Sequence, residues 1–184
     1  MNEQADMILL EIEEKMEKSL ESLAREYASV RTGRANPNIL DRVMVSYYGV
    51  DTPLKQVAAI SVPEAQQLYI KPFDKSILKD IEYAINTSGL ELPPANDGSG
   101  IRLTLPALTE ERRRTLIKEV ERLAETGKVA IRHIRREGND ELKKLGLTED
   151  DERGYLQDVQ TLTDKFVKKV DELTKQKSDD LLHD

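Results

Sequence analysis

Seven basic residues between Arg114 and Arg136 are spaced to share one side of a helix. A helix advances by about 100° per residue. On that wheel Lys118, Arg122, Lys128, Arg132, Arg135 and Arg136 all fall within about 80° of the line through Arg114, and Arg132 returns to the line itself. The apolar residues Leu116, Val120, Leu123, Ala130, Ile131 and Ile134 fall nearly opposite, with Gly127 among them. A cationic stripe of this kind is chemistry for a polyanion, because a guanidinium forks two donors onto one phosphate.

Acids temper the first half of the stripe. Glu121 and Glu125 fall on its line, within reach of Lys118, Arg122 or Lys128 at spacings of three and four. No acid lies on the line around Arg132, Arg135 and Arg136, which makes Lys128 to Arg136 the sharper candidate for phosphate contact. Segregation of charge strengthens the case. The 184-residue chain carries a net charge of −7, yet residues 112–136 hold nine basic and three acidic residues. Local patches, not the total, steer an anionic partner. A charged face opposite a core also arises from solvation alone, and the residues by themselves leave RNA and a merely solvated face as open alternatives.

Little else in the chain is equipped for chemistry. There is no Cys, which excludes disulfides, thiol catalysis and Cys-ligated metal, and the only His residues are His133 and His183. Asp150-Asp151-Glu152 suits the positive end of a helix better than a metal. The loop Gly98-Ser99-Gly100 lacks the Lys-Ser or Lys-Thr of a phosphate-binding loop. Tyr47-Tyr48 can stack on bases or simply pack. No catalytic site, metal site or cofactor is expected. The N-terminal stretch is acidic without a long apolar core, and no apolar run approaches ~20 residues, so neither signal peptide nor membrane span is expected and the cytoplasm is the default location.

The elements that position the stripe follow from periodicity. Ile8, Ile12, Met16, Leu20, Leu23, Tyr27 and Val30 form one helical face over residues 1–30, stopped by Gly33 and Pro37. Residues 31–105 change character. Strands are expected at 43–48, 54–62, 67–73 and 101–105, a turn at Gly49 to Pro53, and a short helix capped by Asp74. Helical periodicity resumes after Pro106 and runs from Thr109 to Leu145, with Gly138 a candidate kink and Gly146 a stop. Thr148 opens a third helix, with Leu156, Val159, Leu162, Phe166, Val170 and Leu173 on its apolar face. Three long helices bury their stripes most economically in a bundle. The expected fold is therefore α+β: a three-helix bundle from residues 1–30 and 106–184, with a small α+β domain, 31–105, inserted and joined by two strands of chain. Two such linkers containing Gly and Pro suggest a hinge.

Four stretches carry a resemblance to a known family. They are Arg31-Thr32-Gly33-Arg34-Ala35-Asn36-Pro37; Tyr47-Tyr48-Gly49 with Thr52-Pro53-Leu54; Leu105 to Arg113; and Val129-Ala130-Ile131-Arg132-His133-Ile134-Arg135-Arg136. Together, and in this order, they resemble the bacterial ribosome recycling factors over essentially the whole chain. The resemblance implies an L-shaped, monomeric, non-enzymatic protein. It implies that the protein binds the post-termination ribosome and, with elongation factor G and GTP, splits it into subunits, releasing mRNA and tRNA. It implies contact with large-subunit ribosomal RNA through Arg132, with Lys128, Arg135 and Arg136 beside it, and a hinge at Arg31, Thr32, Gly33, Arg34, Leu105 and Pro106. The competing reading is a helical protein-binding adaptor or chaperone, whose apolar interface would respond little to salt.

Overall fold

The computed structural model describes residues 2–183. Two compact units share the chain. One holds the chain up to Val30 together with Glu110–His183; the other is Arg31–Thr109.

The first unit opens with helix α1, Glu3–Ser29. Asn2 starts it by accepting a hydrogen bond from the Ala5 backbone N–H at 3.1 Å, and Glu3 and Asp6 sit in the positively polarised first turn. Its buried residues Ala5, Ile12, Met16, Leu23 and Tyr27 are spaced by sevens and fours. That spacing keeps one seam facing its neighbours over a length of about 40 Å.

The second unit opens with a single 3-10 turn, Pro37–Leu40, followed by an antiparallel hairpin, β1 (Met44–Tyr47) and β2 (Val50–Pro53). Its two-residue turn, Tyr48-Gly49, has both residues at positive φ, 51° and 80°. This is the geometry that matches the twist of a two-residue hairpin, and it places an unusual demand on Tyr48. A single helical turn, α2 (Leu54–Val57), leads into β3 (Ala58–Glu64) and β4 (Gln67–Pro72). Asp74 accepts from the Ser76 N–H and starts a short 3-10 turn that runs into α3 (Leu78–Asn86). The strands β5 (Ala95–Asn96) and β6 (Ile101–Thr104) complete an antiparallel sheet in the order β3-β4-β6-β5. Leu68 and Ile70 of β4, Ile101 and Leu103 of β6, and Ile81 and Ile85 of α3 form one core with Leu40, Val45 and Leu54.

Helix α4 (Glu110–Lys143) and helix α5 (Glu149–His183) return to the first unit. Gly146, at φ +68°, turns the chain between them. Thr148 caps α5, its hydroxyl accepting from the Asp151 N–H at 3.2 Å. Val159, Thr163, Phe166 and Val170 are buried on α5, against Leu116, Val120, Leu123, Ile131 and Leu142 of α4 and the seam of α1.

The α+β architecture of three long helices and one small sheet is the one periodicity predicts. Two local expectations fail. Leu54–Val57 is helical rather than the start of a strand, because Leu54 and Val57 both turn into the core, which period-two alternation does not allow. The turn expected at Gly49 to Pro53 is confined to Tyr48-Gly49, and Val50–Pro53 pairs with β1.

Gly138 does not interrupt α4, which stays helical through it. It is buried, and a Cβ there would lie 2.7 Å from Ile12 Cγ1 and closer still to Cδ1. Gly127 does the same one step less tightly, its would-be Cβ 3.3 Å from Leu23 Cδ2. These two glycines let α1 approach α4.

Candidate nucleic-acid interface

The stripe on α4 is a row of cations with unequal freedom. Leu116, Val120, Leu123 and Ile131 are buried, which turns the opposite side of the helix, and with it the arginines, to solvent. At the start of the helix Arg114 pairs with Glu110 at 3.5 Å. Arg122 makes a two-pronged pair with Glu119, Nε at 3.0 Å and Nη2 at 2.6 Å. That contact holds the Glu119 carboxyl below, and the Arg122 guanidinium above, their ordinary ranges. Lys118 is exposed and has no ion pair among the described residues.

Further along the helix, Lys128 is turned aside. Its Nζ lies 2.6 Å from Asp171 on α5, and its side chain is only 23% exposed. Beside the pair, the Tyr27 hydroxyl meets Thr174 Oγ1 at 2.8 Å and donates towards the Val120 carbonyl at 3.3 Å, tying α1, α4 and α5 at one level. Burial raises the Tyr27 phenol above its ordinary pKa, against the lowering from its bond to Thr174.

Arg132 reaches back two turns to Glu125, Nη1 to Oε1 at 3.5 Å, with both side chains open to solvent. So Glu125 serves neither Arg122 nor Lys128, the partners its spacing suggests, and the Arg132 end is not free of acid. Such an exposed, long contact contributes at most ~1 kcal/mol and yields readily to a phosphate. His133 pairs instead with Glu137 at 3.0 Å. Arg135 is half-buried and Arg136 exposed, and neither has an ion pair or side-chain hydrogen bond among the described residues. Arg132, Arg135 and Arg136 thus form, within about one turn, the least neutralised end of the helix.

Asp171 and Tyr27, which decide where Lys128 points, escape a reading of α4 alone. Tyr27 gives one signal in the sequence, a ring with a polar tip in an otherwise aliphatic seam. Lys168 of α5 is likewise exposed without an ion pair among the described residues. The residues expected at a hinge differ among themselves. Gly33 is buried; Leu105 lies in the core of the α+β unit, its N–H donating to the Gln66 carbonyl at 2.8 Å. Arg31, Arg34 and Pro106 are exposed and outside regular structure, and Thr32 Oγ1 accepts from the Arg34 N–H at 3.3 Å. Among the described residues no group of three His, Asp or Glu side chains is arranged to hold a metal, and no helix is long and apolar enough to cross a membrane.

The profile of the family described as Ribosome recycling factor matches residues 23–182. The chain is 85% identical over 182 residues to a ribosome-recycling factor of Acholeplasma laidlawii (strain PG-8A), covering 99% of each protein. It is similar to a solution structure of a ribosome recycling factor, with TM-score 0.81, 37% identity and 99% of each chain covered. A second similar structure is a T. thermophilus ribosome recycling factor, described with E. coli elongation factor G as bound to the E. coli post-termination complex. There the TM-score is 0.63 and the identity 42%, covering 97% of this chain and 98% of that one.

Proposed function

The chain belongs to the ribosome recycling factor family, and from that premise we propose that the bundle grips ribosomal RNA through the Arg132–Arg136 end of α4. Its work is ribosome recycling: it acts on the post-termination ribosome together with elongation factor G. The mechanism proposed is mechanical. Cations on a rigid three-helix unit anchor the protein to large-subunit RNA. The α+β unit moves on its two connections when the motor protein, driven by GTP, pushes, and the subunits part, releasing mRNA and tRNA. On this reading the chain is a non-enzymatic factor of the cytoplasm that needs no cofactor, and GTP hydrolysis by the purified chain alone stays at background.

The observation that carries the RNA assignment is the unequal neutralisation of α4. Arg114 and Arg122 are committed to acids on their own helix and Lys128 to Asp171, whereas Arg135 and Arg136 are uncommitted and Arg132 is held only by a long, exposed contact. Lys128 supports the grip chiefly by fixing α4 against α5. For the hinge, the burial of Gly33 and Leu105 favours Arg31, Thr32, Arg34 and Pro106 as the residues whose backbone turns.

Ribosome binding measured across a salt series tests the grip. Replacing Arg132 by Ala, or Arg135 and Arg136 together, weakens binding while leaving the melting temperature nearly unchanged. Each lost phosphate contact lowers the slope of log affinity against log salt by about 0.7–0.9. Unaltered affinity and slope in both variants removes the assignment. Shortening Arg31–Arg34 preserves binding but impairs splitting, followed by light scattering of post-termination ribosomes with elongation factor G and GTP. Full splitting by a shortened variant would refute the hinge.

A further inference from the structure

A groove of about 470 Å³ runs between α1 and α5, away from the basic stripe. Leu9, Leu10 and Leu162 supply its apolar lining, with Thr161 beside them, and Asp6, Glu13 and Asp158 rim it. Two contacts between the helices frame it. The Tyr155 hydroxyl donates to Asp6 at 2.8 Å at one end, and Lys165 stands 3.8 Å from Glu13 at the other. Asp6 and Glu13 are seven residues apart, so the opening spans two helical turns, about 10 Å. Its apolar surface continues outward. Leu10 is 67% exposed and Met7, one turn before it, 61%. Leaving two large aliphatic side chains in water next to an open apolar groove is a poor solution for a helix that buries its other seam well.

We propose that this groove docks a cationic, amphipathic segment of another protein, with aliphatic side chains seated on Leu9, Leu10 and Leu162 and Lys or Arg side chains meeting Asp6, Glu13 and Asp158. The sign of the rim decides the occupant. Three carboxylates against the single ammonium of Lys165 repel a phosphate backbone, so this face is not an extension of the RNA surface. They also disfavour a symmetric second copy, which would bring the same acids face to face. An apolar floor of two turns fits side chains at spacings of three and four on a helix lying in it, and basic residues flanking those anchors complement the rim.

A synthetic peptide of Leu and Lys in helical register, about 15 residues long so that it can form a helix on contact, tests this by amide NMR of the full chain. A Leu/Glu peptide of the same pattern is the control. The Leu/Lys peptide shifts Leu9, Leu10, Thr161 and Leu162 saturably, and its affinity falls severalfold between about 50 and about 500 mM NaCl as the charges are screened. Leu10→Arg, at an exposed position that folding tolerates, lowers affinity at least about tenfold. Asp158→Lys weakens the Leu/Lys peptide and admits the Leu/Glu peptide. Arg132→Ala changes none of this, which separates the groove from the RNA surface. Equal binding of both peptides by the unaltered chain, shifts confined to α4, indifference to Leu10→Arg, shifts of the same amides by polyuridylate, or self-association through the groove would each overturn the proposal.

Discussion

Three glycines on the long helices turn one substitution into a graded test of how the bundle is packed. Alanine is favoured over glycine inside a helix by about 1 kcal/mol, so with no neighbours each replacement stabilises by roughly that much. The neighbours then decide. At Gly154 of α5 nothing lies within 4 Å of the new Cβ and the residue is exposed, so the gain survives. At Gly127 the new Cβ meets Leu23 Cδ2 at 3.3 Å, the tip of a side chain that can give by a few tenths of an ångström. The net there falls within about 0.5 kcal/mol of zero. At Gly138 the new methyl would overlap Ile12, lying 2.7 Å from Cγ1, and Ile12 is only 3% exposed, so its side chain has to shift within the core. Overpacking of this kind costs about 1–3 kcal/mol. Set against the intrinsic gain, Gly138→Ala is net destabilising by about 1 kcal/mol.

The order of stability is therefore Gly154→Ala, then Gly127→Ala, then Gly138→Ala, with a spread of about 2 kcal/mol. For a chain of this size that is about 4–8 °C in melting temperature. Thermal and urea unfolding followed by helical circular dichroism read it directly. Ile12→Val, which alone costs about 0.5–1.5 kcal/mol, removes the nearest clashing atom. In the double variant it recovers about 1 kcal/mol of the Gly138→Ala loss. A Gly138→Ala protein as stable as Gly154→Ala, or a double variant whose losses simply add, would refute the idea that Gly138 exists to admit α1. The point bears on function, because Arg135 and Arg136 lie three and two residues before Gly138, on the same turn of α4 that packs closely on α1.

Tyr27→Phe removes the hydroxyl that ties three helices and costs about 1 kcal/mol in urea unfolding, with ribosome affinity unchanged. Lys128→Met leaves Asp171 in water, so its loss of stability stays under about 1 kcal/mol, and it weakens ribosome binding less than Arg132→Ala does. Arg122→Ala, at a cation already committed to Glu119, weakens ribosome binding less than the Arg135/Arg136 double replacement, as a filter-binding comparison at one salt concentration will show. Asp97 accepts backbone hydrogen bonds from Ser99 and Gly100 that hold its carboxyl below the usual range. Its folded pKa is depressed, so its contribution is present above the unfolded value of about 4 and lost as pH falls through the folded value. The melting-temperature gap between the wild-type chain and Asp97→Ala should thus be full at neutral pH and close in strong acid.

Much of this molecule is written in local order. The sevens and fours of Ile12, Met16, Leu23 and Tyr27, and the matching series on α4 and α5, determine three long helices with one buried seam each, because covalent geometry alone fixes which residues share a helical face. The same arithmetic puts Arg132, Arg135 and Arg136 on the solvent side, and composition excludes whole classes of chemistry. The partner of each charge is not local. Lys128 meets Asp171, far along the chain, only because α4 and α5 run side by side at that level. Glu125 turns to Arg132 rather than to a neighbour one turn away, and Gly138 is required by Ile12 on another helix. Leu54–Val57 coils against its strand-like composition because the core of the α+β unit takes both of its aliphatic ends. The acid-rimmed groove belongs to α1 and α5 jointly and is invisible in either. Period and propensity are properties of a segment. Which cation stays free, and which apolar edge stays open, depends on what distant chain is packed beside it, and the tertiary structure alone decides that.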